Sequence, residues 1–137
     1  MIILGIDYGK SKIGFAISES KIAEPYRVVK IKSMEDAIEK VKEVVSSFAK
    51  ASEDKQVEQV EQVVIGDSEG RMAEETKEFG RKLGEKLNIP VIFQDETLTT
   101  QEAQRLSIEA GIKRKKRKAL EDAYSAALIL QAYLDNL

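Results

Sequence analysis

Carboxylates that follow short apolar runs are the residues of this 137-residue chain best suited to chemistry. Asp7, Asp67 and the pair Asp95 and Glu96 each come directly after a run typical of a buried strand. Ligands of α/β sheets gather beyond the carboxyl ends of parallel strands, so we expect these acids to share one site. Carboxylate oxygens suit hard cations such as Mg²⁺ and Mn²⁺. The pattern favours a common carboxylate site over a coincidence of positions.

The first of these acids lies in the motif GIDYGKSKIG, residues 5–14. A bare carboxylate at the end of a buried strand is costly to desolvate unless a positive group meets it. For Asp7 that group could be Lys10, Lys12, a helix N-terminus or a metal ion. The two lysines fit an ordinary polar turn that needs Gly9. They fit a phosphate-facing hairpin beside Asp7 equally well.

The chain contains no His and no Cys, which excludes several kinds of catalysis. It cannot build a Ser-His or Cys-His nucleophilic pair, and it lacks the nitrogen and sulfur ligands that zinc usually takes. Chemistry therefore falls to carboxylates, with Lys, Ser, Thr or Tyr in support. The absence of Cys also excludes disulfides and fits a reducing cytoplasm, where we expect the protein. The formal net charge of -2 gives no overall attraction to nucleic acid.

Length and composition predict a single soluble domain over residues 1–137. With 42% hydrophobic and 34% charged residues, the chain belongs to the globular class. No apolar run approaches the roughly 18 residues that a membrane span needs, so we expect no membrane partner. The first residues also lack the pattern of a secretion signal.

The order of the predicted elements indicates a mixed sheet. Short turns between the first three strands predict antiparallel pairs, whereas the later alternation of strands and helices predicts parallel ones. Strands are predicted over residues 2–6, 12–18, 26–31, 63–66 and 90–94. Helices are predicted after the cap residue Ser33, over 72–87, over about 100–110 and over about 119–134. The polar segment 50–62 predicts a helix tail and an exposed linker inside the domain.

Asp122, near the start of the last predicted helix, has two interpretations. With Glu121 it would complement the positive end of the helix, which is worth about 0.3–1 kcal/mol. Alternatively, the small residues Ser125, Ala126 and Ala127 let this helix approach the sheet closely. That approach would bring Asp122 near Asp7.

A basic stretch precedes this last helix. It comprises Lys113, Arg114, Lys115, Lys116, Arg117 and Lys118. Cations next to a helix N-terminus oppose the helix dipole, so helix stability does not account for them. The stretch is either a solvated basic loop or a contact for the phosphate backbone beside Asp122, and the second interpretation is favoured. Such a contact would position nucleic acid without reading its sequence.

Four segments, taken together, resemble the YqgF family, relatives of the RuvC Holliday junction resolvase. The segments are GIDYGKSKIGFAIS, VVIG, DETLTT and EDAYSAALILQAYLD, and the likeness runs from residue 1 to about residue 135. The resemblance implies an α/β, RNase H-like three-layer fold. In that fold helices flank a mixed five-stranded sheet of order 3-2-1-4-5, in which strand 2 is antiparallel.

The resemblance also implies a nuclease with a three-carboxylate centre for one or two Mg²⁺ or Mn²⁺ ions. Asp7, Glu96 and Asp122 match the family's catalytic and metal-binding acids. Asp67 is an alternate ligand because the RuvC branch carries an acid on that strand, and Asp95 is a weaker alternate that could instead cap a turn. Two metals activate water and stabilise the leaving oxygen, so the mechanism requires no His base.

The family implies a substrate as well, the precursor of small-subunit (16S) ribosomal RNA. Lys10, Lys12, Arg71 and the basic stretch are the candidate nucleic-acid contacts. Thr97 replaces the Arg that usually follows the acidic pair, and the loop DSEGRM departs from the family pattern. Arg71 in that loop could replace the lost charge.

Three alternatives to an RNA-processing nuclease stay open. One is a Holliday junction resolvase acting on four-way DNA, which requires a homodimer, whereas the RNA nuclease could be a monomer. Another is a nucleic-acid or ribosome-binding module with a decayed site. A phosphate-binding role like that of the sugar-kinase superfamily ranks last, because those enzymes use two lobes.

Overall fold

The computed structural model describes residues 2–50, 59–67, 72–95 and 114–137. These residues form five strands and three helices. The strands are β1 (Ile2–Tyr8), β2 (Lys12–Ser18), β3 (Ala23–Lys30), β4 (Val60–Asp67) and β5 (Val91–Asp95). The helices are α1 (Met34–Lys50), α2 (Ala73–Leu87) and α3 (Arg114–Asp135).

The five strands form one mixed sheet in the order β3-β2-β1-β4-β5. β2 pairs antiparallel with both β1 and β3, because short turns connect these strands. β4 pairs parallel with β1 and β5, since longer connections separate them in the chain. The expected RNase H-like sheet order is confirmed, and so is the antiparallel second strand.

The sheet separates two apolar clusters, and this makes the fold three-layered. Alternating side chains of β1 point to opposite faces. Leu4 and Ile6 pack in the larger cluster with α1 and α2, whereas Ile3 packs with Ala126 and Leu130 of α3. We call these two sides of the sheet the α1/α2 face and the α3 face.

The start of α1 follows the capping rule. The backbone N–H of Asp36 donates to Oγ of Ser33 at 3.1 Å, and Oδ2 of Asp36 accepts from the backbone N–H of Lys32 at 2.9 Å. These bonds satisfy donors that a helix N-terminus leaves unpaired. The predicted cap at Ser33 is therefore confirmed.

Some predicted boundaries differ from the structure. β4 begins at Val60, so the end of the predicted linker 50–62 belongs to a strand. β3 begins at Ala23 and contains Pro25, which an edge strand tolerates because it lacks a second neighbour. The helix predicted over about 100–110 lies outside the described residues.

The basic stretch is helical from Arg114 onward, so the prediction of a basic loop before the last helix was wrong. Lys and Arg have favourable helix propensity, and residues 114–120 contain neither Gly nor Pro. The unfavourable interaction of cations with the helix dipole is only about 0.3–1 kcal/mol each, and it falls off beyond the first turn. Propensity and continuity with a well-packed helix outweigh it.

In the part of the chain that the structure describes, no helix is both long enough and apolar enough to cross a membrane.

Candidate active site

Asp7 occupies the carboxyl end of the central strand. It lies in β1, half-buried, and pairs across the antiparallel ladder with Gly14 of β2. Ile3 packs against α3, and side chains two residues apart share a face of a strand. Asp7, four residues after Ile3, therefore faces the α3 side of the sheet.

Asp122 is carried to the same place by α3. The backbone of Asp122 lies directly over Gly14, so closely that a Cβ atom built on Gly14 would lie 2.1 Å from the carbonyl oxygen of Asp122. Because Gly14 is the ladder partner of Asp7, α3 and the sheet bring the two acids together from positions 115 residues apart. The close-approach interpretation of Asp122 matches this geometry.

Small residues on both surfaces make the approach possible. Gly5 and Ala16 form a ladder pair on the α3 face, and Ala126 of the helix is completely buried against them. A Cβ atom on Gly5 would lie 2.9 Å from Cβ of Leu130 and 3.0 Å from the carbonyl oxygen of Ala126. These small residues let the backbone of α3 lie close to the sheet.

Burial and one cation set the electrostatics of Asp122. Burial raises the pKa of its carboxyl group above the ordinary value, the Lys12 ammonium group opposes that rise, and Glu121 adds to it. Nζ of Lys12 lies 3.9 Å from Oδ2 of Asp122, a long and half-exposed ion pair. The charge of the carboxylate is therefore only partly compensated. Protonation would remove that charge, whereas a bound metal ion would stabilise it.

Asp67 and Asp95 lie on the other face of the sheet. They are paired neighbours at the ends of β4 and β5. Ile65 packs in the cluster on the α1/α2 face, and Phe93 lies close to Gly80 of α2. Strand alternation turns Asp67 and Asp95 to that same face, away from Asp7 and Asp122. The structure does not bring all the strand-end acids into one site.

The remaining candidates fall into three groups. Lys10 is exposed in the turn between β1 and β2, which a hydrogen bond from the backbone N–H of Gly9 to the carbonyl oxygen of Lys12 closes at 3.0 Å. The backbone of residues 114–118 forms the first turns of α3, on the N-terminal side of Asp122. Glu96, Thr97, Arg71 and Lys113 lie outside the described residues.

The described donors suit a hard cation, although two carboxylates alone do not complete a site. Within residues 2–50, 59–67, 72–95 and 114–137, no group of three or more Asp, Glu, His or Cys side chains is arranged to hold a metal ion. Asp7 and Asp122 supply oxygen donors of the kind that Mg²⁺ and Mn²⁺ accept. A metal ion bound by these two carboxylates would need further ligands from elsewhere in the chain, from water or from a substrate phosphate.

The sequence did not predict that the backbone of Asp122 packs directly against Gly14. The alternation of Gly14 and Ala16 with larger apolar residues does predict close packing on one face of β2. Nothing in this local pattern says which later element lies there. The pairing of Lys12 with Asp122 was missed for the same reason.

Comparison with known proteins assigns this chain to a family. A family model described as "RuvX: Holliday junction resolvase" matches residues 1–136. A protein of Caldanaerobacter subterraneus subsp. tengcongensis named "Putative pre-16S rRNA nuclease" is 39% identical over 145 residues, covering 99% of this chain and 97% of that protein. A relative of the same name from Syntrophomonas wolfei is 37% identical over 143 residues, covering 98% of this chain and 94% of the relative.

Solved structures support the fold assignment. The chain is similar to Thermus thermophilus RuvC with a TM-score of 0.56 and 15% identity, over 99% of this chain and 96% of that one. T. thermophilus RuvC in complex with a Holliday junction substrate gives a TM-score of 0.54 and 19% identity over the same shares of the two chains. At these identities the likeness establishes the RNase H-like fold alone.

Proposed function

The chain belongs to the RuvX family, and on this basis we propose that it is a metal-dependent nuclease that cleaves the precursor of 16S ribosomal RNA. The names of its relatives support the substrate. The reaction proposed is hydrolysis of a phosphodiester bond in structured nucleic acid. A role in ribosomal RNA maturation would place the protein in the cytoplasm.

One observation supports this proposal above the others. Two carboxylates from distant parts of the chain, Asp7 and Asp122, lie on the same face of the sheet at the carboxyl end of its central strand. Ligands of open α/β sheets bind at that end of the strands. The half-buried carboxylate of Asp122 is only partly compensated by its long ion pair with Lys12, so its position does not favour stability.

The metal site proposed here consists of Asp7, Asp122 and Glu96. Asp7 lies in a strand with neighbours on both sides and Asp122 lies in a packed helix, so the backbone of each residue is held in place. Glu96 follows the last residue of β5 in the sequence and would supply the third carboxylate. A bound Mg²⁺ or Mn²⁺ ion would supply Lewis acidity to an attacking water and to the leaving oxygen.

Basic residues on α3 and on the first hairpin would hold the phosphate backbone. Residues 114–118 occupy the helical turns that precede Asp122. At a rise of about 1.5 Å per residue, Lys118 lies roughly 6 Å and Arg114 roughly 12 Å from Asp122 along the helix axis. Lys10 and Lys12 would approach from the β1–β2 turn. These cations would offset the repulsion between the acidic centre and a polyanion.

A second candidate substrate is a four-way DNA junction. The description of the family model favours it, and one similar structure is a RuvC complex with a Holliday junction substrate. Symmetric cleavage of a junction requires two active sites, so this function would need a homodimer. Cleavage of an RNA precursor does not require one.

The test is a cleavage panel on the folded protein, using a 16S precursor RNA fragment and a four-way DNA junction with Mg²⁺, Mn²⁺ or EDTA. We expect cation-dependent cleavage that prefers the RNA. Asp7→Asn and Asp122→Asn should each lower the rate by more than roughly 100-fold, the upper end of what the loss of an orienting group causes. Asp67→Asn is the matched control, because it makes the same change at a neighbouring strand end on the opposite face.

Each other outcome has a distinct meaning. Full activity in a folded Asp7→Asn variant would contradict the nuclease mechanism. Preferred cleavage of the junction by a dimer would replace the RNA substrate with the DNA one. Nucleic-acid binding without cleavage under any of these cations would identify a binding module whose site has decayed.

A further inference from the structure

We propose that Gly14 is a positioning residue for Asp122, so that the metal affinity of the site depends on the absence of a side chain at position 14. The inference rests on the proposed function, because Asp122 is a metal ligand only within it. It goes further by assigning part of the site's geometry to a residue that has no functional group.

The contact between Gly14 and Asp122 leaves no room for a methyl group. A Cβ atom on Gly14 would lie 2.1 Å from the carbonyl oxygen of Asp122, 2.3 Å from its carbonyl carbon and 2.9 Å from its Cβ atom. Real Cβ contacts essentially never fall below 3.0 Å, so the backbones of residues 14 and 122 would have to separate by 3.0 minus 2.1, or about 0.9 Å. Because two of these three atoms are backbone atoms, no side-chain rotation relieves the overlap.

The rest of α3 cannot follow such a movement freely. Oε1 of Gln131 accepts a hydrogen bond from the backbone N–H of Ala23 at 2.9 Å, and the Tyr133 hydroxyl donates to Oε1 of Gln62 at 3.1 Å. Ile129 and Leu130 are completely buried. A methyl group at position 14 would therefore tilt the N-terminal half of α3 about a fixed C-terminal half.

The tilt would move only one of the two carboxylates. Asp7 is hydrogen-bonded into the middle of the sheet and would stay, whereas Asp122 would move away from it. Functional groups have to be held within about 0.5 Å of their productive positions. A displacement of about 0.9 Å is large on that scale.

Gly5 provides the matched control on the same helix. Its Cβ atom would meet Leu130 and Ala126 at 2.9 and 3.0 Å, one to two turns beyond Asp122. The methyl group of Gly5→Ala would therefore overlap with the C-terminal half of α3, which its hydrogen bonds and buried side chains hold in place. It should lower the stability of the fold without separating the two carboxylates.

The experiment measures Mn²⁺ affinity by calorimetry on the full chain, with the thermal midpoint of each variant recorded beside it. We expect Gly14→Ala to weaken Mn²⁺ binding roughly 10- to 100-fold, the range seen when a group that orients a metal ligand is lost. Gly5→Ala should leave the affinity unchanged within error. Asp122→Glu should restore part of the affinity in the Gly14→Ala background, because the extra methylene spans the displacement, but should weaken binding in the wild-type chain.

Three calorimetric results would contradict the positioning role of Gly14, and one of them would also contradict the proposed function. Wild-type affinity in folded Gly14→Ala, or an equal loss in Gly5→Ala, would contradict the positioning role and leave the proposed function intact. Mn²⁺ binding to the wild-type chain that Asp122→Asn does not weaken would contradict both proposals. If Gly14→Ala does not fold, the backbone amide NMR signals of the wild-type chain are measured instead. Mg²⁺ should then shift the Gly14 signal and not that of Gly5, and equal shifts would overturn the inference.

Discussion

Asp122 shows how a single residue links the stability of this fold to the chemistry proposed for it. Burial raises the pKa of its carboxyl group, and Lys12 only partly opposes this effect. The ionised side chain therefore destabilises the metal-free protein. Active sites commonly hold groups in such environments because the function requires it.

The sign of this effect gives a pH prediction for the metal-free protein. Because the pKa of Asp122 is higher in the folded chain than in the unfolded chain, protonation stabilises the fold. That stabilisation is absent well above the folded pKa, grows as the pH falls through it, and is complete below the ordinary carboxyl pKa. Asp122→Asn should therefore be more stable than the wild type at neutral pH in EDTA, and the difference should shrink in acid.

Urea denaturation at a series of pH values measures this difference. Asp67→Asn, the same substitution at a strand end on the opposite face, is again the matched control. A wild-type protein that is more stable than Asp122→Asn at neutral pH in EDTA would contradict the account of this residue.

At the scale of elements, α3 combines two functions with opposite requirements. Its C-terminal half packs through small and apolar residues such as Ala126 and Leu130. Its first turns consist of cations, which oppose the helix dipole. The helix thus gives up some stability at the end where we propose that nucleic acid binds.

Replacing two of these cations should therefore change stability and binding in opposite directions. We expect Lys115→Gln/Lys116→Gln to weaken nucleic-acid binding and to lower the slope of log K against log [salt] by about 1 for each phosphate that the lysines neutralise in the wild type. The thermal midpoint should rise slightly, because the unfavourable charge at the helix N-terminus is removed. Salt titrations of binding and thermal melts measure the two effects.

A control pair lies on the other face of the sheet. Lys40→Gln/Lys77→Gln removes the same charge from α1 and α2 and should leave the salt slope unchanged. Equal decreases of binding in both double variants would show that overall charge acts, and not the first turns of α3.

The elements themselves could largely be predicted from the sequence. Apolar runs mark β1, β2 and β4, and the cap at Ser33 marks the start of α1, because these signals are local. The start of α3 could not be predicted, since a run of cations is compatible with loop and helix alike. The inclusion of Pro25 in β3 could not be predicted either, because pairing at the edge of a sheet depends on the whole sheet.

At the scale of the whole molecule, the proposed site depends on contact between two layers of the fold. Asp7 comes from the middle layer and Asp122 from the helix on one side, and they meet because Gly14 lets the two layers touch. The positions of these acids in the sequence do not reveal this meeting. The family resemblance predicted both acids, and the small residues after Asp122 indicated a close approach as one of two interpretations. The strand-end pattern alone grouped Asp7 with Asp67, Asp95 and Glu96. Asp67 and Asp95 lie on the opposite face of the sheet from Asp7. This difference is visible only when the register of the strands is known.

The position of Mn²⁺ in a crystal of the full chain tests the central claim most directly, since the anomalous signal of manganese identifies the ion without ambiguity. The account predicts Mn²⁺ on the α3 face, coordinated by oxygens of Asp7 and Asp122. Mn²⁺ bound instead between Asp67 and Asp95 on the α1/α2 face, with Asp7 and Asp122 remote from any ion, would contradict it.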